Sequence, residues 1–98
     1  MDITKQLNDK HLSLMISGRL DTNTAPLLDQ EIQQIGDVSE LTLDLAELEY
    51  ISSAGLRVLL VAQKMMKEKG KMEIVNAKPQ VIDIFTVTGF IDILNIKQ

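Results

Sequence analysis

The sequence predicts an α/β fold: one domain over residues 1–98, with a mixed, mostly parallel sheet, an N-terminal hairpin and three or four helices. Three observations lead there. Leu41, Leu43 and Leu45 alternate with Thr42 and Asp44, which is the period of a strand. From Leu56 the spacing turns helical, with Leu56, Leu59, Leu60, Gln63 and Met66 on successive turns. Past the hairpin, strand and helix patterns take turns along the chain, which favours parallel pairing with helices packed on the sheet.

Taken in order, Asp2 to Leu7 reads as a first strand and Asn8-Asp9-Lys10 as a turn. His11 to Ser17 is a second strand, with Leu12, Leu14 and Ile16 on one face; Gly18 closes it. Thr22, Asn23 or Thr24 caps a first helix, whose start Pro26 fixes to within a residue or two. Its expected buried stripe is Leu27, Leu28, Ile32 and Ile35, and Gly36 ends it. The strand at Leu41–Leu45 runs through a loop into the second helix, which Gly70 stops. Met72 to Val75 is another strand, and Asn76-Ala77-Lys78 a loop. Pro79 opens a third helix with Val81, Ile82 and Phe85 on its apolar side and Gly89 at its end. Ile91 to Ile96 supplies a last strand or a ragged end. The expected order is β-β-α-β-α-β-α-β.

Composition narrows the function. The chain is 45% hydrophobic but only 3% aromatic, so its core is built of aliphatic side chains. A net charge of -4 argues against a nucleic-acid partner, because a phosphate backbone calls for clustered Lys and Arg. Without cysteine there is no disulfide and no thiolate chemistry, which fits a reducing, cytoplasmic setting. No apolar run approaches the roughly 18–20 residues of a membrane span, so neither a membrane partner nor a signal peptide is expected.

A search for catalysis finds little. The single histidine, His11, sits at a strand start beside a turn, the ordinary place for a solvated side chain. No cluster of His, Cys or carboxylates has metal-ligand spacing, and no glycine-rich phosphate loop occurs, so no metal, no cofactor and no enzymatic activity are expected. What stands out is Ser52-Ser53 at a helix start. Such a serine is a favoured cap, and the free amides and dipole there also favour an anion. One reading is therefore a cap and nothing more. The other is a site of phosphorylation, where roughly -1.5 to -2 charges leave the fold intact but change the surface a partner meets.

The motif Leu43-Asp44-Leu45 followed by Tyr50-Ile51-Ser52-Ser53-Ala54-Gly55-Leu56 resembles the signature of the STAS domain in bacterial anti-sigma factor antagonists. Gly18-Arg19-Leu20-Asp21 with Thr24-Ala25 resembles a second loop of that family, and Lys78-Pro79 with Val81 through Gly89 its third helix. The resemblance covers essentially the whole chain. It implies a protein that binds an anti-sigma factor with serine kinase activity and so frees a sigma factor. The kinase phosphorylates the antagonist and lets go, and a PP2C-type phosphatase restores it. The family's modified serine follows an acidic position, which maps it onto Ser53. Ser52 stands where many members carry aspartate and is a second candidate acceptor. Asp21 matches a family aspartate near the modified serine, with two kinds of role open: capping the first helix or accepting from loop amides, against orienting Ser53 or contacting the partner. The expected partner-binding residues are Asp21, Thr22, Asn23, Ser52, Ser53, Ala54, Gly55 and Arg57. The alternative is a non-switching STAS module in a larger sensory or transport assembly.

Overall fold

A computed structural model describes residues 1–97 of the chain. The described residues form six strands and three α-helices, one strand more than the sequence implies: β1 (Asp2–Asn8), β2 (His11–Leu20), α1 (Ala25–Gln33), β3 (Glu40–Asp44), β4 (Leu48–Ile51), α2 (Ser53–Lys69), β5 (Lys71–Val75), α3 (Pro79–Thr88) and β6 (Ile96–Lys97). The hairpin pairs antiparallel, Asp2 opposite Ser17 through Asn8 opposite His11. All other pairings are parallel, and the main sheet runs β1-β2-β3-β5-β6.

The alternation in β2 and β3 sorts side chains between two faces. Leu12, Leu14, Ile16, Leu41 and Leu43 are buried, whereas Ser13, Thr42 and Asp44 stay partly open. The core is apolar throughout: Phe85 and aliphatic side chains fill it, and no polar or charged residue is buried among the described residues. On α2, Leu56, Val58, Leu59, Ala62 and Met66 form the buried stripe, but Leu60 and Gln63 lie half-buried at its margins.

Several details differ from the sequence reading, among them the end of α1, which falls at Gln33 rather than at Gly36. Leu27 is 49% exposed; Leu28, Ile32 and Ile35 follow the helical spacing inward, and Leu27 falls one residue off that line. The second strand does not stop at Gly18, which instead takes φ +88° inside a bulge, and β2 continues to Leu20. The loop before α2 contains a strand of its own, β4, which pairs with this continuation (Gly18 opposite Leu48, Arg19 opposite Tyr50, Leu20 opposite Ile51). The C-terminal segment forms a 3-10 turn at Phe90–Asp92 and only two residues of strand, because Leu94 turns inward between them.

The bulge lets one strand serve two neighbours, β3 along its first half and β4 along its last residues. The ends of β2 and β4 thus lie side by side where α2 begins. There Gly55 makes the contact close: a Cβ on it would stand 2.7 Å from Leu20 Cγ, 2.8 Å from Ile51 Cγ1 and 3.0 Å from the Leu20 carbonyl oxygen. Alanine usually stabilises a helix relative to glycine. At this position the overlap reverses the sign, and Gly55→Ala should lower stability by about 1–3 kcal/mol in a denaturant titration with an unchanged m-value.

Candidate functional site

The site is assembled from two loops at one end of the sheet. The first joins β2 to α1 and closes on itself. The Asp21 carboxylate accepts from the amides of Asn23 (3.0 Å) and Thr24 (3.2 Å). The Thr24 hydroxyl accepts from the Asp21 amide and donates to the Arg19 carbonyl, each at 2.8 Å. Partial burial pulls the Asp21 pKa up, but it is outweighed by the Asn23 and Thr24 amides, the Thr24 hydroxyl and the Arg19 charge, which together hold the carboxyl below its usual value. Arg19 is itself engaged, 3.9 Å from the Asp21 carboxylate and stacked 4.3 Å from the centre of the Tyr50 ring.

The second loop leads from β4 into α2. The Ser52 amide donates to the Leu20 carbonyl at 2.9 Å, which ties the helix start to the end of β2. Ser52 is the N-cap, in extended conformation (φ -97°, ψ 176°), and its hydroxyl accepts from the Gly55 amide at 3.4 Å. Ser53 is the first residue of the helix, exposed, and its hydroxyl makes no hydrogen bond among the described residues. The two serines are thereby separated: one hydroxyl is spent on the helix, the other faces outward.

Between α1 and α2 runs a shallow groove that starts beside Ser53. Thr22, Pro26 and Asp29 line one side, and Ala54, Arg57 and Val61 the other. Of the residues expected to meet a partner, Thr22, Ala54 and Arg57 line this groove, Asn23 and Ser53 lie exposed beside it, and Asp21 and Ser52 are partly covered. Gly55 is buried beneath the surface and acts through the space it leaves. Asp21 makes no bond to Ser53; its oxygens serve their own loop. Sequence reasoning passed over Pro26, Asp29 and Val61. Their signal was their place just off the buried stripes of the two helices, on the sides that face each other.

Among the described residues no group of three or more His, Cys, Asp or Glu could hold a metal ion, and no helix is long and apolar enough to cross a membrane. His11 lies at the far end of β2, roughly 30 Å of strand from Leu20. Its ring is bonded to the Thr42 hydroxyl at 2.8 Å, with the Glu40 carboxylate 3.8 Å away.

The family model of the STAS domain matches residues 2–98. A protein of Bordetella bronchiseptica, provisionally named as the anti-sigma factor antagonist BtrV, is 35% identical over 101 residues, covering 100% of this chain and 87% of its own. The crystal structure of an anti-sigma factor antagonist from Mycobacterium paratuberculosis superposes with a TM-score of 0.87 at 23% identity, over 97% of this chain and 83% of that one. The phosphorylated form of the Bacillus cell fate determinant SpoIIAA superposes with a TM-score of 0.76 at 15% identity, over 99% and 92% of the two chains. By the family match along nearly its full length, by the relative in Bordetella and by the shared fold, this chain belongs to the STAS domain family.

Proposed function

We infer that the protein is an anti-sigma factor antagonist switched by phosphorylation of Ser53. The observation that carries this reading is the unequal treatment of the two serines. Ser52 Oγ is held by the Gly55 amide, whereas Ser53 Oγ is exposed at the first residue of α2. A kinase can reach the second hydroxyl without opening the helix. The relatives point the same way, since the Bordetella protein carries an antagonist's name and SpoIIAA exists in a phosphorylated form.

The chemistry asks little of this chain. The Ser53 hydroxyl oxygen forms the new bond to the γ-phosphorus of ATP, the bond from that phosphorus to the leaving ADP breaks, and the hydroxyl proton passes to a base on the kinase. The catalytic groups, nucleotide and metal belong to the partner, an anti-sigma factor with serine kinase activity acting in the cytoplasm. The first turn of a helix accommodates the added charge, because its amides and dipole favour anions. The partner, docked across the two loops and the groove, meets a dianion where a neutral hydroxyl stood. A PP2C-type phosphatase hydrolyses the ester and restores binding.

Incubation with the kinase and ATP should add one phosphate, and Ser53→Ala should abolish its incorporation while Ser52→Ala leaves it in place; intact-mass and peptide mass spectrometry read both. Phosphate found on Ser52 instead would reverse the assignment of the two hydroxyls. Ser53→Asp should weaken binding to the unmodified partner by roughly tenfold in calorimetric titration, as a like or unpaired charge at an interface does. Its melting temperature should stay at the wild-type value. Equal affinity of wild type and Ser53→Asp, with an assembly that survives phosphorylation, would instead mark a non-switching module.

A further inference from the structure

Arg57 is the one cation among the groove-lining residues, and its role is not exhausted by contact with a partner. It is exposed, and among the described residues it enters no ion pair. It also stands four residues after Ser53 on the same helix, so the two side chains neighbour one another across one turn, with Cβ atoms about 6 Å apart. An acid placed four residues before a base is the favourable order for such a pair.

We propose that Arg57 is the reader of the modification: once Ser53 carries a phosphate, the Arg57 guanidinium swings along the helix and pairs with it. This rests on Ser53 being the modified residue. The other charges around the site leave Arg57 as the available partner. Arg19 is held by Asp21 and Tyr50, and Asp29 across the groove is an acid that repels the phosphate. Asp21 is turned to its own loop amides. The guanidinium suits the task, since its planar fork matches phosphate oxygens in pairs. Its aliphatic stem can lie along the Ala54 and Val58 side of the groove throughout. Phosphorylation then changes the docking surface twice. It adds negative charge at Ser53, and it withdraws the groove's positive charge from any acidic group of the partner that pairs with it.

The test uses the full chain with phosphoserine installed at position 53 during translation, so that it does not depend on any kinase. The probe is the second ionisation of the phosphate, followed by phosphorus NMR across pH 4–8 in wild type and in Arg57→Gln. An ordinary phosphoserine titrates near about 6. With the guanidinium paired, the wild-type midpoint lies below that of Arg57→Gln by about 0.3 pH unit, the size of an exposed pair one turn apart, and the gap closes in about 1 M salt. The Arg57 Nε–H resonance should move on phosphorylation. Superimposable titrations of the two chains, with an unmoved Arg57 resonance, would overturn the proposal. Failure of a kinase to modify the unphosphorylated chain would count against the function proposed above and leave this result as it stands.

Discussion

The seat of α2 on the end of β2 is the constraint from which the site follows. The Ser52 amide reaches the Leu20 carbonyl, and Gly55 lies against Leu20 and Ile51 with no room for a side chain. This close approach brings the loop after β2 beside the first turn of α2. The groove that Thr22 and Ala54 share lies beside it. The bulge at Gly18 and the short strand β4 serve the same end, since they carry β2 far enough to meet the helix.

Around that seat the polar groups are arranged to be self-sufficient. Asp21, Thr24 and the Arg19 carbonyl satisfy one another within a few residues. Ser52 supplies the cap, and the core below contains only apolar side chains. The exposed hydroxyl of Ser53 is thus an addition to a structure already complete without it. The first turn of a helix welcomes an anion, and nothing folded depends on the neutral form of that hydroxyl.

Much of this was legible in the residues. Alternation placed Leu41 and Leu43 of β3 in the core between partly open neighbours, and helical spacing placed Leu56, Leu59 and Met66 of α2 there, although Leu60 and Gln63 lie only half-buried. Both serines and the Asp21 loop were identifiable from their motifs. The strand β4 was not, for a physical reason: Leu48 and Ile51 are both buried at a spacing of three, which breaks strand alternation because β4 carries one extra residue, Glu49, opposite the step from Gly18 to Arg19. Leu27 was misplaced because it stands one position off the line of Leu28 and Ile32, and composition alone does not choose between adjacent leucines. Two like serines side by side differ only in backbone torsion, and the groove depends on how two helices cross. Such features are tertiary and leave little trace in one dimension.

Since the turn at Gly55 is secured by main-chain atoms and by a missing side chain, Ser53 owes the scaffold nothing. A duplicated copy of the gene could exchange that codon and still encode a well-folded product. If Ser53 is the switch proposed above, such a descendant would dock without ever being silenced, and the route from a reversible regulator to a constitutive one is a single mutational step long.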